Sequence, residues 1–429
     1  MKENSFDVAI VGGGIVGSYA AYRLAKDGLR VGLFEKGQIA GEQSSRNWGF
    51  VRLQGRDPAE IPLMVEGRRL WASLEGEMGL SVDWRQGGNL ALAADDARME
   101  QFDAWLEEAK EFQVDSRLVT PEEVRKIVPG LDTPNAGGLY TPSDGQAEPE
   151  IAAPSIARAA QSLGAQIMTN CVVDRIEVTN GAVSGLHTEF GPVHANAVVL
   201  CAGAWSKYML RTLAVRLPQL WMLGSVARTS VADREVTKAG VWAGFAFRQR
   251  ADGTFNIAGG AQADHNLMID SLLDGFSFRH MYKNHKRLLK LHFGFPFFDF
   301  LTARLSERGL AKALRRHRML NPRPNFKALE RAVHQLNNGL VNLGTVEIDR
   351  RWAGYIDCTP DFVPVIERLD SPAGLVVATG LSGHGFGMGL ITARVAADLA
   401  ANRPTGYDLQ AFRLSRFDDD ASLVPRNVI

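Results

Sequence analysis

Cysteine is scarce: Cys171, Cys201 and Cys358 are the only three in 429 residues. They are too far apart, and odd in number, for a disulfide framework or a metal cluster, so all three are expected to be small core residues. An excess of one charge is also missing. Lys plus Arg and Asp plus Glu number 48 each, so no global field favours nucleic acid or an anionic surface. No run of about 18 apolar residues offers a membrane span, and a strand pattern begins by about Phe6, leaving no room for a signal peptide. These features predict a cytoplasmic protein. Internal repeats and low-complexity stretches are absent too. What remains, 45% hydrophobic and 22% charged, is the composition of an ordinary globular protein, and the length implies about two domains.

From Asp7 to Lys36 the chain reads as strand, glycine turn, helix and strand. Val8-Ala9-Ile10-Val11 is apolar throughout, as a strand buried in a parallel sheet must be. In the turn, Gly12 permits the tight bend, Gly14 lets the backbone approach a pyrophosphate, and Gly17 lets the helix lie close on the strand. The helix begins at Ile15 and Val16, so its unpaired N–H groups and positive dipole end face bound phosphates. Glu35, 18 residues beyond Gly17, stands where a carboxylate would take ribose hydroxyls and disfavour a 2′-phosphate. Together these predict a dinucleotide-binding unit.

Helix and strand patterns alternate along the chain, which predicts an α/β or α+β fold. A second strand-rich block runs from Gln166 through Val172-Val173 and Val183 to Leu200, and ends in Cys201-Ala202-Gly203-Ala204-Trp205-Ser206. A helix from Ile151 to Leu163 precedes it. A third block carries Leu375 to Gly380, a glycine-rich turn, and a helix from about Leu390 to Ala401. The expected division is one Rossmann-like unit assembled from 1–84, 141–219 and 340–429, with 85–140 and 220–339 forming an antiparallel-sheet unit.

The ordered set of motifs resembles the family of D-amino acid oxidase, glycine oxidase and sarcosine oxidase. It comprises Gly12-x-Gly14-x-x-Gly17, Gln43 to Gly49, Gly138 to Gly145, Cys201 to Ser206, Trp352-Ala353-Gly354 with Thr359-Pro360-Asp361, and Gly380 to Met388. The resemblance covers nearly the whole chain. It implies FAD in an extended pose across the first unit, and oxidation of a C–N bond by hydride transfer to flavin N5, giving an imine that hydrolyses. Further FAD contacts implied are Glu35 and Lys36, the polar loop Ser44, Ser45, Arg46, Asn47 and Trp48, the Val173 backbone, Ala202, Gly203 and Trp205. The turn Gly383, His384, Gly385, Phe386, Gly387 and Met388 would aim N–H groups and a helix dipole at negative charge on the flavin.

In sarcosine oxidase-like members a cysteine tethers the flavin seven residues before the aspartate of Thr-Pro-Asp; here that position is Gly354, which predicts non-covalent FAD. Two residues on, the carboxylate-binding arginine of the glycine oxidase branch is replaced by Ile356, and the sarcosine oxidase lysine by Gly387. Arg52, which matches an arginine of the sarcosine oxidase branch, is then the candidate for an anionic substrate group, its bland alternative being a surface ion pair with Asp57 or Glu60. Arg248 and Arg250 alternate on a predicted strand; Arg248 takes the place of a lysine that some oxidases use to activate oxygen. Tyr355 and Trp48 are candidate pocket walls. His384 is either a structural hydrogen-bonder or a proton acceptor. The reading is an FAD-dependent oxidoreductase of an amino acid or N-substituted amino acid. Rivals are a 2-hydroxy-acid dehydrogenase with His384 as base, and an FAD-bearing subunit of a hetero-oligomeric dehydrogenase. Between Arg279 and Arg318 eleven Lys or Arg face two acids, Asp299 and Glu307. With Phe278, Met281, Tyr282, His285, Leu288, Leu289 and His292 at helical spacing, a basic amphipathic helical insertion at about 270–320 is predicted, to pack on the chain, a partner subunit or a membrane surface.

Overall fold

The computed structural model describes residues 5–242, 244–259, 263–285, 289–293, 300–418 and 423–426. Ser5–Val11 lies in the middle of an eight-stranded sheet, parallel to Val31–Phe34 on one side and Gly191–Leu200 on the other. Leu375–Thr379 continues the parallel run beyond Gly191–Leu200, and Gln166–Met168 beyond Val31–Phe34. Strand alternation sends Val8 and Ile10 into one core, shared with the helices Ile15–Lys26 and Gly385–Ala400, while Ala9 and Val11 face a second core with Trp205 and Tyr208. Burial on both faces explains why the strand has no polar side; each enclosed aliphatic contributes about 1.5–3 kcal/mol.

A second, ten-stranded sheet contains Asn89–Ala93, Gly137–Thr141, Phe245–Gln249 and Phe255–Gly259. Its longest pair joins Leu220–Thr229 antiparallel to Ile348–Cys358, so the latter strand, grouped by sequence with 340–429, hydrogen-bonds within this sheet. The helix after the glycine-rich turn starts at Gly385 rather than Leu390. Gly387 and Gly389 do not break it: they let it approach Val51 and Ile15 closely. The Ser44 to Asn47 loop is likewise tighter than expected, with Gln43–Arg46 forming one helical turn.

The insertion departs most from expectation. Arg279–His285 is a short helix, but Leu289–His292 is a strand that pairs parallel with Ala263–Asn266. Short apolar runs with aromatic residues fit either period, and sheet pairing decided this one. Further helices cover Leu301–Leu305 and Glu307–Arg316. Leu288 and the cluster Phe295-Pro296-Phe297-Phe298 lie outside the described residues. Among the described residues no helix is long and apolar enough to cross a membrane, and no group of His, Cys, Asp or Glu is arranged to hold a metal ion.

Candidate active site

One cavity of about 1230 Å³ receives residues from all three motif blocks and from the second sheet. It begins at the glycine turn. A Cβ on Gly12, whose φ is +111°, would collide with the Cys201 carbonyl, and one on Gly17 with the Gly12 carbonyl. Gly14 lines the cavity, and the Ile15 N–H at the helix start donates to Ser44 Oγ at 2.9 Å. Glu35 closes the second strand with its carboxylate accepting from the Gly13 N–H (2.8 Å) and Gly37 N–H (2.7 Å). Burial pushes the Glu35 carboxyl up, against the pull of nearby Lys36 and these two amides.

Lys36 donates to the carbonyls of His317 and Arg318 and to Glu42 Oε1 at 2.5 Å, and its ammonium lies over the Trp205 ring. Arg46 donates to the Ala353 carbonyl at 2.9 Å and packs its methylenes on Gly354. Gln43 Nε2 donates to Asp357 (2.8 Å) while its Oε1 accepts from the Ala204 N–H (3.0 Å). That side chain ties the two sheets together. Asp357 is buried, which raises its carboxyl, and it also accepts the Gly380 N–H at 2.9 Å.

A second cluster lines the same cavity. Arg52 is buried and donates to the Gln54 carbonyl at 3.3 Å. Burial and then the charge of Arg56 pull the Arg52 guanidinium down to about 9, so it remains a cation at neutral pH. His384 caps the helix Gly385–Ala400, and its Nδ1 lies 3.3 Å from Glu60 Oε1. Glu60 is fully buried. Burial, and then Arg56, push the His384 imidazole down to about 4, so it is neutral at pH 7. Burial opposes the charge on Glu60, yet the His384 contact and Arg56 hold its carboxyl below the ordinary value. An ionised Glu60 fixes the imidazole proton on Nδ1 and leaves Nε2 as the ring's acceptor.

Of the residues singled out in sequence, Gly12, Gly14, Ile15, Val16, Glu35, Lys36, Ser44, Arg46, Asn47 and Trp48 line the cavity. So do Arg52, Val173, Ala202, Gly203, Trp205, Gly354, Tyr355 and the run Gly383 to Phe386. Gly17, Ser45, Gly387 and Met388 are not among the lining residues. Gly17 and Gly387 instead serve close packing, and the Gly387 carbonyl accepts the Trp71 indole N–H. Arg248 is also outside the lining: it is 2% exposed, paired with Glu148 at 2.9 Å, and donates to the Trp48 carbonyl. It holds Trp48 rather than facing the cavity. Arg250 pairs with the same Glu148. The surface ion pair considered for Arg52 is not what forms, because Arg52 and Glu60 are both buried and Glu60 faces His384. Gln43, Arg56, Glu60 and Arg98 were not assigned roles in sequence. The partners of Gln43 and Glu60 are hundreds of residues away and Arg56 lies in an irregular loop, where periodicity carries no signal; Arg98 is on the helix Asp96–Ala109, whose pattern does not tell which cavity it borders.

The glycine cradle, the Glu35 carboxylate on the cavity wall and the helix start at Ile15 fit an extended dinucleotide. Comparisons with known proteins agree. Human mitochondrial sarcosine dehydrogenase is 30% identical over 224 residues, which is 50% of this chain but only 24% of that protein. The matched stretch therefore spans about a quarter of that relative. Sarcosine oxidase subunit beta of Rhizobium meliloti is 26% identical over 425 residues, covering 96% of this chain and 88% of that protein. Among solved structures, L-amino acid deaminase from Proteus myxofaciens in complex with anthranilate superposes with a TM-score of 0.91 at 27% identity, over 96% of this chain and 94% of that one. The family described as DAO, FAD dependent oxidoreductase, matches residues 7–399. A match of that extent makes this protein a member of the FAD-dependent oxidoreductase family, with FAD as its cofactor.

Proposed function

We propose that the protein oxidises the C–N bond of an amino acid or N-substituted amino acid, with FAD held non-covalently. The observation that carries this reading is a single cavity shared by the dinucleotide cradle and by Arg52, His384 and Tyr355. FAD, held by the cradle from Gly12 to Ile15 and the Glu35 carboxylate, would supply the acceptor for the hydride on the carbon beside nitrogen, and water would hydrolyse the imine so formed. The chain's residues bind and orient. Arg52 takes the substrate carboxylate in its planar fork. Tyr355, whose hydroxyl accepts from the Asn266 amide at 3.2 Å, and Trp48, fixed by Arg248, wall the substrate in. His384 Nε2 receives a proton from the incoming ammonium, because only the neutral amine can donate the hydride. The substrate carboxylate beside Arg52 and Arg56 offsets part of the positive charge that, after burial, depresses His384, and so strengthens it as an acceptor.

Non-covalent attachment rests on Gly354, where the tethering cysteine of sarcosine oxidase-like members would stand, and on Cys358, which is buried outside the cavity lining. Purified protein is expected to be yellow and to release FAD into the supernatant on acid precipitation. A washed pellet that keeps its colour would overturn the non-covalent part.

A second reading concerns the electron acceptor. Leu272, Phe276, Phe293 and Leu305 are exposed apolar residues on the insertion. They give a surface on which a partner subunit can pack and receive electrons, in line with a relative that is named as a subunit. Co-sedimentation with anionic vesicles at low salt, set beside oligomer mass in their absence, separates that from a membrane surface.

A further inference from the structure

Arg56 is a cavity cation to which the proposed reaction gives no substrate group of its own. It lines the cavity, is 3% exposed, and its Nη1 is buried with no hydrogen-bond partner among the described residues. Its position is built rather than incidental. Nε donates to the Arg52 carbonyl at 3.1 Å, and the Arg56 carbonyl in turn accepts the indole N–H of buried Trp105 at 2.7 Å. Of the acids that follow in the chain, Asp57 accepts from the Ala59 N–H at 2.9 Å and Glu60 is turned to His384 at 3.3 Å. A buried guanidinium that keeps an unused N–H is costly unless something that enters the site completes it.

The charge of the substrate gives the reason. An amino acid held with its amine neutral brings one negative charge, from the carboxylate, and Arg52 meets it. Arg56 lines the same cavity, and its charge is felt at Arg52 and at His384. Buried Glu60 and Asp144 act on Arg56 through their charge, but among the described residues neither forms an ion pair with it, so one substrate carboxylate on Arg52 leaves the Arg56 Nη1 unmet and a second acidic group would complete it. Arg98 joins the lining from the helix Asp96–Ala109 and adds to the positive character.

We propose that Arg56 receives a second acidic group, so that the preferred substrate is an amino dicarboxylic acid or its N-substituted form. This rests on the reading of Arg52 as anchor of the first carboxylate. Each acidic group forms charge-assisted hydrogen bonds with one guanidinium, and no bond of the second group is made or broken in the reaction.

The experiment uses the FAD-loaded protein. Flavin absorbance is titrated anaerobically with unreactive succinate and glutarate and with the equally long monocarboxylates butyrate and pentanoate. Reduction is then compared for aspartate and glutamate, in both configurations and N-methylated, against asparagine and glutamine. Dicarboxylates are expected to bind about tenfold or more tightly than their monocarboxylate counterparts. Arg56→Gln is expected to erase that preference at unchanged FAD content, and Arg56→Lys to restore part of it. A native protein with no preference for the second acid overturns the proposal, whatever the variants do. A preference that survives Arg56→Gln overturns it as well. If Arg56→Gln does not hold FAD, Arg56→Lys decides: an undiminished preference there rejects the two-pronged contact. Binding that depends on Arg56, without reduction by any amine, would sink the amine-oxidation reading and leave the second-acid subsite standing. Reduction by neutral amino acids with no preference for diacids would do the reverse.

Discussion

Replacing either of two glycines three positions apart, Gly14 and Gly17, with alanine is expected to separate cofactor binding from folding. A Cβ at Gly17 would drive into the Gly12 carbonyl oxygen and reach 3.0 Å from Cys201 Sγ. The obstacle is backbone in the first strand's turn, so the helix Ile15–Lys26 must lift off the sheet. Overpacking of this kind costs about 1–3 kcal/mol or more, a large part of a total stability of roughly 5–15 kcal/mol. At Gly14 the added methyl would meet only Ser44 Oγ, at 2.9 Å. That hydroxyl can rotate away, and the fold then loses little more than its hydrogen bond from the Ile15 N–H, about 1 kcal/mol. Gly14 lines the cavity, however, and Gly17 does not. Gly14→Ala should therefore leave the FAD-free protein folded, with a Tm lowered by a few degrees, and weaken FAD binding by about tenfold or more. Gly17→Ala should yield little folded protein. The assays are thermal unfolding of FAD-stripped protein and fluorescence titration with FAD. Equal loss of fold in both variants, or native FAD affinity in Gly14→Ala, would refute the reasoning.

Other outcomes follow from the same geometry. Arg52→Lys keeps the charge but loses the fork, so the substrate KM should rise more than tenfold while FAD content holds; a change within about twofold would discard Arg52 as anchor. Arg248→Met should lower kcat by releasing Trp48 without altering substrate charge preference, and a changed preference would put Arg248 back in the cavity. His384 sits at about 4 in the native state, below its unfolded value of about 6.5, so its stability contribution is present above pH 6.5 and lost as pH falls toward 4. The difference in unfolding free energy between native protein and His384→Gln should thus shrink by up to about 3 kcal/mol over that window, and a flat difference would contradict the depressed imidazole. Asp57 and Asp144, both pushed up to about 6 by burial, work the other way: their contribution is present at low pH and lost as pH rises through 6, so only the difference curve isolates His384.

What could be read from sequence was what local sterics decide. The turn Gly12 to Gly17 admits few conformations and few purposes, and Glu35 follows from the length of one helix and one strand. His384 was legible as a turn residue, but its role was not. Its partner Glu60 is 324 residues away and reads as an ordinary acid beside Asp57 and Pro58. Arg56 was silent for the same reason, since an irregular loop has no period to betray which side chains turn inward. Arg248 misled because strand alternation gives a face and not a partner; burial against Glu148 and the Trp48 carbonyl settled it. At Leu289 to His292 an apolar rhythm compatible with a helix yielded to pairing with Ala263–Asn266, a contact no local pattern encodes.

The central claim is the oxidation of a C–N bond, and one comparison tests it most directly. Anaerobic flavin bleaching is measured with amino acids and N-methyl amino acids, and in parallel with 2-hydroxy acids of the same carbon skeletons. Bleaching by a member of the amine series, with formation of the 2-oxo acid and none by its hydroxy counterpart, is the expected result. Bleaching by the hydroxy acids alone would contradict the account and make His384 the base of a different oxidation.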